Sequence, residues 1–213
     1  MIEIASIRKD YQLKTLDIVD VENDPLKQFN IWFEEAVASK VNEPNAMVLS
    51  TVKENGRPAA RVVLLKGTDQ SGFSFFTNYE SDKGHQLLQF PFASLTFFWP
   101  ELERQVRVEG KVKKLSELES NNYFSIRPRN SRIGAYASPQ SKVVPGREFL
   151  EDSFRENMSK FEGMEVERPS YWGGYSLNPD YFEFWQGRPS RLHDRISYHL
   201  LIGQDWDIKR LAP

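Results

Sequence analysis

"AMVLSTVKENGRPAARVVLLKG", residues 46 to 67, carries the strongest fold signal in the chain. Two runs rich in β-branched and apolar residues flank the pair Asn55-Gly56. Asn-Gly between two such runs is a strong short-range signal for a β-hairpin, because both residues tolerate the positive φ angles of a tight turn. The stretch therefore predicts two antiparallel strands joined at Asn55-Gly56.

Further strand patterns lie downstream of this hairpin. After the turn "TDQSG", the run "GFSFFTN" predicts a third strand and "FASLTFFW" a fourth, and "RQVRVEGKVKKL" alternates with period two as a fifth. The C-terminal part adds strands around "GGYSLNP", "YFEFWQG", "RISYHLLIG" and "WDIKRLA". Short turns between neighbouring strands favour antiparallel pairing, and this many strands favour closure into a barrel.

The first helix is predicted in "NDPLKQFNIWFEEAVASK", upstream of the hairpin. Asp24 is a suitable N-cap, and Pro25 suits the first helical position. The apolar stripe of an amphipathic helix follows. Its members are Leu26, Phe29, Trp32, Phe33, Ala36 and Val37.

Three more helices are predicted between the strands. "SDKGHQLLQF" predicts a short helix capped by Ser81, and "SELESNNYFSIRP" predicts one that begins with a capping box of Ser116 and Glu119 and ends before Pro128. "GREFLEDSFRENMSKF" predicts an amphipathic helix whose apolar side carries Phe149, Leu150, Phe154 and Met158. The predicted fold class is therefore mainly β, an antiparallel β-barrel with flanking α-helices.

The composition excludes several classes of protein. The 213 residues include no cysteine, which excludes disulfides, thiolate metal sites and cysteine nucleophiles, and is typical of a reducing compartment. The formal net charge of −2 gives no overall attraction to nucleic acid or anionic membranes. No apolar run approaches the roughly 20 residues of a membrane span, and the charged N-terminus does not resemble a signal peptide. We therefore expect a cytoplasmic protein with no nucleic-acid and no membrane partner.

No internal repeat, low-complexity block or flexible linker divides the chain. Residues 1–213 are therefore predicted to form a single domain, in which residues 1–23 are a mobile N-terminal arm with a short helix. No HExxH, carboxylate cluster, GxGxxG or P-loop is present, so we predict no metal and no Rossmann or nucleotide-hydrolysing site. The 15 Phe, 8 Tyr and 5 Trp residues suit an aromatic β core.

A basic segment near the C-terminus, "FWQGRPSRLHDRISY" (residues 184–198), is the first candidate for binding chemistry. Arg191, His193 and Arg195 are spaced by two, so on a strand they would share one face. Three potential cations on one face repel each other unless an anion is bound, and the neighbouring Trp185 is unusual on a merely solvated surface. The segment therefore predicts a ligand-binding wall, whereas His85 and His199 are interpreted as surface or packing residues.

The strand "RVVLLK" (residues 61–66) has a cation at each end. Arg61 and Lys66 would face opposite sides of an ideal strand, because they are five positions apart, an odd number of steps. Two interpretations remain open. Either the charges simply reach water at the strand ends, or they bind different parts of one ligand, or two ligands, at the sheet edge.

The stretch "TNYESDKG" (residues 77–84) places Thr77, Ser81 and Lys83 at a strand-to-helix turn. Free N–H groups and the positive end of the helix dipole make such a turn suitable for a phosphate. Asp82 lies in the first helical turn, where it stabilises the helix, but it would repel a phosphate on the same side.

"NNYFSIRPRNS" places Tyr123 and Arg127 four residues apart, on one face of a short helix, with Ser131 beyond Pro128. A phenol, a guanidinium and a hydroxyl suit the oxygens of a phosphoester. The alternative is an ordinary surface helix end with a C-terminal arginine.

Neutral hydrogen-bonding groups are a weaker signal. Gln140 and Ser141 lie in the loop "YASPQSK", and Gln105 lies within the fifth strand. Gln105 either faces solvent or contacts the polar edge of a planar ring.

Seven stretches, in this order and at this spacing, are similar to the pyridoxine (pyridoxamine) 5′-phosphate oxidase family over nearly the whole chain. They are "RVVLLK", "FFTNYESDKG", "LERQVRVEG", "YFSIRPRNSRIGAY", "PSYWGGY", "EFWQGRPSRLHDR" and the terminal "RLAP". The resemblance implies an FMN-binding split β-barrel and a homodimer with FMN at the subunit interface. It also implies oxidation of pyridoxamine or pyridoxine 5′-phosphate to pyridoxal 5′-phosphate, with O2 reduced to H2O2.

The resemblance also implies binding residues, position by position. FMN would contact Arg61, Val62, Val63, Leu64, Lys66, Phe76, Thr77, Asp82, Lys83, Gln105, Gln140, Ser141, Trp185 and Arg195. The phosphorylated substrate would contact Arg8, Tyr11, Lys66, Tyr123, Arg127, Ser131, Arg191, Leu192 and His193. Arg191 and His193 would be the catalytic residues. The chain departs from the family pattern at Asp82, where an arginine is frequent, at Phe76 for tyrosine and at Tyr136 for tryptophan.

The resemblance leads to a mechanistic hypothesis, in which the flavin supplies the chemistry and the protein supplies position and field. A hydride would pass from the substrate's C4′ to flavin N5, while Arg191 and His193 orient the substrate and assist loss of its proton. Which of the two, if either, is the base stays open.

Three alternatives compete with this reading. They are a split-barrel flavin reductase that uses a nicotinamide cofactor, a non-catalytic carrier of pyridoxal phosphate or FMN, and a nucleic-acid binder. The last would need an extended basic track, but acidic residues are interspersed.

Overall fold

The computed structural model describes residues 3–203 and 205–213 of the chain. The chain divides into two compact units. The first consists of Met1–Leu49, Ser94–Gly110 and Pro179–Pro213, and the second consists of Ser50–Ala93 and Lys111–Asn178. The prediction that residues 1–213 form one domain stays a prediction.

Groups of consecutive strands are separated by helices along the chain. The α-helices are α1 (Pro25–Ala38), α2 (Asp82–Gln89), α3 (Glu117–Ser125), α4 (Arg129–Ala137) and α5 (Arg147–Lys160), and short 3-10 helices lie at Ile4–Ser6, Ile18–Asp20 and Pro189–Arg191. The strands are β1 (Ala46–Val52), β2 (Pro58–Leu64), β3 (Gly67–Asp69), β4 (Gly72–Asn78), β5 (Phe92–Trp99), β6 (Arg104–Lys114), β7 (Trp172–Gln186), β8 (Asp194–Leu200) and β9 (Trp206–Leu211).

The strands form one sheet in the order β2-β1-β5-β6-β7-β4-β3, to which β8 and β9 are added through β7. β4 pairs antiparallel with β3 and β7, and β8 pairs antiparallel with β7 and β9. Strands β1, β5, β6 and β7 contribute residues to both units. The predicted class, mainly β and antiparallel with flanking helices, is confirmed.

β7 is one long strand, so the prediction of two strands in "GGYSLNP" and "YFEFWQG" is wrong. Residues 172–177 of β7 pair with β4, and residues 181–186 pair with β8. Pro179 lies between the two registers, where the N–H that it lacks is not required for either ladder. The strand can therefore continue through a residue that normally marks a strand end.

Helix α1 begins as its sequence predicts. The side chain of Asp24 accepts a hydrogen bond from the N–H of Leu26, and Pro25 occupies the first helical turn. The predicted apolar stripe is wrong at Val37, whose side chain is exposed.

The buried side of α1 packs in an aromatic core of the first unit. Phe29 is fully buried, and its ring lies 5.0 Å from the ring of Phe97. The ring of Trp32 meets that of Phe184 edge to face, at 5.2 Å between centroids. Edge-to-face pairs add to the free energy gained by burying the rings.

The hairpin that was predicted at Asn55-Gly56 is present. Gly56 has a φ of +77°, and the N–H of Lys53 donates to the carbonyl of Arg57 across the turn. The "TDQSG" stretch differs from the prediction, because its first two residues belong to the short strand β3. Residues 70 and 71 alone connect β3 to β4.

The caps predicted for α2 and α3 are confirmed, whereas α4 was not predicted. Ser81 caps α2 by accepting the N–H of Gly84, and Ser116 forms a capping box with Glu119 at α3. α4 starts directly after Pro128, which the sequence analysis treated only as a helix terminator. Proline is equally compatible with the start of a helix, because the first N–H groups of a helix need no intrahelical partner.

The apolar side that was predicted for α5 is only half covered. Leu150 and Phe154 are half-buried, whereas Phe149 and Met158 are exposed. Of the helices in residues 3–203 and 205–213, none is long and apolar enough to cross a membrane.

Part of the N-terminal arm is held by hydrogen bonds within the first unit. The N–H groups of Gln12 and Leu13 both donate to the buried carboxylate of Glu103, at 2.8 and 3.1 Å. The N–H of Leu16 donates to Asp194 at 3.1 Å. The predicted short helix corresponds to two 3-10 turns, and the mobility of the arm stays a prediction.

Replacing Gly84 in the first turn of α2 with alanine should destabilise the protein. A Cβ atom at this position would lie 2.0 Å from the carbonyl oxygen of Tyr79, which belongs to the backbone and cannot rotate away. Such overpacking costs about 1–3 kcal/mol. Thermal unfolding, followed by circular dichroism, measures the effect.

Gly134→Ala in α4 is the matched control for this change. A Cβ atom at Gly134 meets nothing within 4 Å, so alanine should raise helix stability by up to about 1 kcal/mol. Equal unfolding temperatures for the two variants would contradict the packing argument.

Candidate functional site

The basic segment near the C-terminus does not form the continuous strand that the sequence analysis predicted. Arg191 lies in a 3-10 helix, His193 follows in a loop, and only Arg195 lies in β8. The common strand face of the three residues is therefore wrong. The physical reason is the backbone turn that begins at Pro189, in which Ser190 and Arg191 have φ angles of +57° and +61°.

This turn and the arm enclose a cavity of about 480 Å3 in the first unit. It is lined by residues 7–11 of the arm and by Arg188, Ser190, Arg191 and His193. Four of the predicted substrate residues, Arg8, Tyr11, Arg191 and His193, are thus brought together. Leu192 does not line the cavity, and its side chain is exposed.

His193 is held by aromatic rings and by the backbone. Its ring lies 4.7 Å from Trp185 and 5.9 Å from Tyr11, measured between centroids. Its Nδ1 accepts a hydrogen bond from the backbone N–H of Arg188 at 3.1 Å. Burial and the charge of Arg191 lower the pKa of His193, although Asp194 acts in the opposite direction.

The charge of Arg195 is paired with a buried carboxylate. Its Nε and Nη2 atoms donate to Glu183, both at 3.0 Å, and Nη1 donates to the carbonyl of Ala212 at 2.8 Å. The hydrogen bond with Glu183 raises the pKa of Arg195. These bonds use three of the five N–H donors of the guanidinium. Two donors are left for a ligand.

Glu183 is the centre of this network. Besides Arg195 it accepts hydrogen bonds from Arg107 at 3.1 Å and from the hydroxyl of Tyr181 at 3.0 Å. Burial would raise the pKa of Glu183, but these donors, Arg195 foremost, bring it below its ordinary value.

Gln105, which was predicted to bind FMN, is half-buried in β6.

In the second unit, the turn from β4 to α2 brings predicted ligand residues together. The side-chain oxygen of Gln140 accepts hydrogen bonds from Thr77 at 3.1 Å and from Lys83 at 3.0 Å. Burial and the charge of Arg61 lower the pKa of Lys83, and Asp82 offsets part of this effect. Two cations therefore lie close enough to repel each other at a half-buried turn.

Strand β2 and the two residues after it contain the side chains of the "RVVLLK" segment. Arg61 is half-buried and donates to Thr51 at 2.6 Å and to Gln86 at 3.1 Å. Lys66 is exposed and lies beyond the end of β2, so the ideal-strand argument for opposite faces does not apply to it. Of the side chains between them, Val62, Val63 and Leu64 are partly or largely exposed, whereas Leu65 is buried.

An aromatic stack connects the next group. Phe76 stacks on Tyr123 at 3.8 Å between ring centroids and on Trp172 at 5.6 Å. The guanidinium of Arg127 lies 4.5 Å from the ring of Trp172. Burial lowers the pKa of Arg127, and its Nη1 is buried with no hydrogen-bond partner in the described residues.

The predicted helical face of Tyr123 and Arg127 is wrong, because α3 ends at Ser125 and Arg127 lies after it. The Trp172 ring nevertheless keeps both side chains in one cluster. Ser131 is exposed in the first turn of α4, and Ser141 is exposed with a φ of +70°.

Two residues of these clusters received no role in the sequence analysis. Glu183 interrupts the apolar run "YFEFW", and a charged residue between two buried phenylalanines is a signal for a buried ion pair. Arg188 belongs to the basic segment itself. No group of three or more His, Asp or Glu side chains that could hold a metal is found in the part of the chain described.

Comparison with known proteins decides the family. A profile described as pyridoxamine 5′-phosphate oxidase matches residues 33–157, more than half of the chain. The chain belongs to the pyridoxamine 5′-phosphate oxidase family. A second profile, the pyridoxine 5′-phosphate oxidase C-terminal dimerisation region, matches residues 172–213 and supports formation of a homodimer.

Curated relatives extend the match over the full length. A pyridoxine/pyridoxamine 5′-phosphate oxidase of Cupriavidus necator is 56% identical and covers 100% of both chains. One from Cyanothece sp. is 51% identical over 100% of this chain and 99% of its own. The protein is therefore an enzyme, an oxidoreductase of this family, and the family implies a small-molecule substrate.

Two solved structures share the fold. PhzG from Burkholderia lata, in complex with tetrahydrophenazine-1-carboxylic acid, aligns with a TM-score of 0.89 and 29% identity over 96% of this chain and 100% of its own. An FMN-binding protein from Nostoc punctiforme aligns with a TM-score of 0.71 and 20% identity over 89% of this chain and 98% of its own. The predicted split β-barrel fold is confirmed.

Proposed function

We propose that this protein oxidises pyridoxamine 5′-phosphate or pyridoxine 5′-phosphate to pyridoxal 5′-phosphate, with FMN as cofactor and with reduction of O2 to H2O2. The observation that carries the proposal is the identity of 51% to 57% to oxidases named for these substrates, over the full length of the chain. FMN and the substrate each carry a phosphate, so the proposal requires cationic sites for two anions.

The residues at the β4–α2 turn fit the phosphate of FMN. Lys83 is half-buried, and its hydrogen bonds go to the neutral oxygens of Ser81 and Gln140. Burial and then the repulsion by Arg61 lower its pKa. An anion bound here would reverse that repulsion and would use the free N–H groups at the start of α2. Asp82 weakens the site, since it adds a negative charge at the same turn.

The cluster around Trp172 fits the phosphate of the substrate. The Nη1 of Arg127 is a buried donor without a hydrogen-bond partner in the described residues. A buried, unpaired donor destabilises the folded protein, and an oxygen of a ligand would remove this cost by accepting a hydrogen bond. The hydroxyl of Tyr123 belongs to the same cluster. Lys66 and Ser131 complete the proposed set as exposed donors.

We propose that the cavity in the first unit contacts the substrate. Arg191 and His193 would orient it, and Arg8 and Tyr11 of the arm would cover it and exclude water. When bound, FMN supplies the two-electron acceptor for the substrate and transfers the electrons to O2. Positive groups near the flavin favour the charge that develops on it, and Arg195 has two donors to offer there.

The remaining proposed FMN contacts are Val62, Val63, Leu64, Phe76, Thr77, Gln105, Gln140, Ser141, Trp185 and Arg195. We place FMN at the subunit interface of the homodimer.

Absorbance spectra of the purified protein test the function. The protein should be yellow with flavin bands, and anaerobic addition of pyridoxamine 5′-phosphate should bleach them. Admission of air should then restore the bands and yield H2O2. A colourless protein that does not bind added FMN, or a yellow one that the substrate does not bleach, would contradict the proposal.

A Lys83→Met variant tests the phosphate site separately. It should bind FMN about 10- to 100-fold more weakly, because a charge-assisted hydrogen bond of about 1.5–3 kcal/mol is lost. Quenching of flavin fluorescence during titration of the apoprotein gives the dissociation constant. Lys53→Met, at an exposed lysine beside the hairpin turn, is the control and should bind FMN like the wild type. Equal affinities for the two variants would remove Lys83 from the site.

One solved structure favours a second candidate. PhzG, at 29% identity, holds tetrahydrophenazine-1-carboxylic acid, which carries no phosphate. The same spectral test with this compound in place of pyridoxamine 5′-phosphate distinguishes the two. Arg127 and Tyr123 would have no phosphate to bind in that case, and substitution of Arg127 would leave turnover unchanged.

A further inference from the structure

The backbone fixes the tautomer of His193. The N–H of Arg188 donates to Nδ1 of His193 at 3.1 Å, and a peptide nitrogen can only donate. Nδ1 must therefore carry a lone pair and no proton. A neutral imidazole has one N–H, so the proton of His193 is on Nε2.

The turn between Arg188 and His193 brings the N–H of Arg188 to Nδ1 of His193. The 3-10 helix Pro189–Arg191 brings the chain back on itself, with positive φ angles at both Ser190 and Arg191. Each such angle costs about 1–3 kcal/mol in a residue other than glycine. The fold maintains a strained turn that holds the N–H of Arg188 against the ring.

We propose that His193 binds the substrate as a neutral hydrogen-bond donor through its Nε2–H and is not the base that removes a proton. Arg188 is the positioning residue, acting through its backbone N–H. The proposal rests on the proposed function for the identity of the substrate. The Nε2–H of His193 would donate to an acceptor on the substrate, an oxygen or nitrogen lone pair.

Neither ring nitrogen is available to accept a proton. Nε2 already carries one, and Nδ1 is occupied by the N–H of Arg188. Protonation of Nδ1 would place two N–H groups against each other, so the hydrogen bond would be replaced by a repulsion. A histidine in this arrangement can donate, but it cannot act as a general base without first losing the hydrogen bond from Arg188.

The net charge around the ring also favours the neutral imidazole, although two carboxylates oppose it. The charged and titratable groups near it come from the arm and from its own segment: Arg8, Lys9, Asp10, Tyr11, Arg188 and Arg191 line the same cavity, and Asp194 is the next residue. Cations outnumber carboxylates in this set, and the carboxylate of Asp194 is shared with Arg188 and Arg210. An imidazolium would add one more positive charge to this cavity. The neutral ring is favoured, and the pKa of His193 is accordingly lowered.

Nitrogen NMR of the protein labelled with 15N-histidine tests the tautomer directly. The resonances of His193 are identified by their absence in His193→Gln, since the chain has only 3 histidines. We expect a protonated Nε2 and an unprotonated, hydrogen-bonded Nδ1 at neutral pH, in the presence and in the absence of substrate. A proton on Nδ1, or an imidazolium at neutral pH, would overturn the proposal.

Arg188→Ala separates the backbone from the side chain. This variant keeps the N–H and removes the guanidinium, so the His193 tautomer should not change. A switch of the proton to Nδ1 in this variant would show that the side chain, and not the peptide group, holds the ring.

Two substitutions of His193 test the role in turnover. The amide nitrogen of glutamine reaches about the place of Nε2, whereas that of asparagine reaches only about the place of Nδ1. His193→Gln should keep kcat/KM within about 10-fold of the wild type, and His193→Asn should lose about 100-fold or more. Equal losses in both would overturn the donor role and favour a base.

The two readouts keep this proposal distinct from the proposed function. If the protein fails to oxidise either B6 phosphate, the function is wrong, and the NMR tautomer still decides the state of His193. If the protein is active and Nδ1 carries the proton, the function stands and this inference fails.

Discussion

Replacing Arg191 with methionine should lower turnover about 100-fold or more while FMN stays bound. The guanidinium of Arg191 lies on the wall of the 480 Å3 cavity, where it can donate two hydrogen bonds to the substrate. Each charge-assisted bond contributes about 1.5–3 kcal/mol, and about 1.4 kcal/mol corresponds to a factor of ten. Methionine retains the unbranched apolar stem of the side chain and removes all of its donors.

The backbone conformation at Arg191 does not favour either the wild type or the Arg191→Met variant. Its φ of +61° is a strained conformation for arginine and for methionine alike, so the substitution does not change the strain. Ser190, the preceding residue, also has a positive φ angle. Two adjacent strained residues are a reason to expect a role in binding or catalysis. Arg191→Lys keeps the charge without the planar fork and should recover only part of the turnover.

Steady-state assays and the ratio of flavin to protein absorbance give the two readouts. Arg147→Met, at a largely exposed arginine on α5, is the control and should resemble the wild type in both. Turnover that is unchanged in Arg191→Met would remove this residue from the mechanism. Loss of FMN together with turnover would place it in the cofactor site instead.

The parts of the fold that the sequence predicted correctly depend on local chemistry. The Asn55-Gly56 turn, the Asp24 and Ser81 caps and the Ser116–Glu119 capping box each act over four residues or fewer. Such signals are readable because the partner atoms are close in sequence. α4 was missed since Pro128 is compatible with a helix start as well as with a helix end.

The parts of the site that could not be predicted depend on contacts that are distant in sequence. Arg191, His193 and Arg195 have the spacing of a strand, but two positive φ angles turn the first of them away from that strand. No periodicity reveals such angles in residues other than glycine. The pairing of Glu183 with Arg195 follows from the register of β7 and β8, which sequence spacing alone does not give.

Replacing Glu183 with glutamine should have the largest effect on stability. The side chain is 3% exposed, and its carboxylate accepts hydrogen bonds from Arg195, Arg107 and Tyr181. Removing one partner of a buried ion pair costs about 3–5 kcal/mol, because the other charge is left uncompensated. The arginine side chains are 26% and 36% exposed, so we expect the lower end, about 3 kcal/mol.

The unfolding temperature measures this loss. For a chain of this size each kcal/mol corresponds to about 2–4 °C, so Glu183→Gln should unfold about 6–12 °C below the wild type. The comparison is made on apoprotein at one protein concentration, because FMN and dimerisation would both shift the midpoint. Glu151→Gln, which removes an exposed carboxylate paired with Arg147 on α5, should change the free energy of unfolding by less than about 0.5 kcal/mol.

The pH dependence gives a second, independent signature. The pKa of Glu183 is lower in the folded protein than its ordinary value of 4.5. The unfolded chain therefore takes up the proton first as the pH falls, so this stabilisation is complete at neutral pH and is lost in acid as the pH falls below that value. Glutamine does not titrate in this range. The difference in unfolding free energy between the wild type and Glu183→Gln should shrink as the solution is acidified.

Glu183 should also influence the ligand that Arg195 binds. The carboxylate holds Nε and Nη2 of Arg195, and Ala212 holds Nη1, so the orientation of the guanidinium is fixed. Without the carboxylate the guanidinium can rotate, and FMN should bind more weakly to Glu183→Gln than to Glu151→Gln.

An unfolding temperature equal to that of the wild type, or a stability difference that does not change with pH, would show that the Glu183–Arg195 pair does not stabilise the fold. Equal FMN affinity in a destabilised Glu183→Gln would separate the structural role of the pair from the proposed role of Arg195 at the flavin.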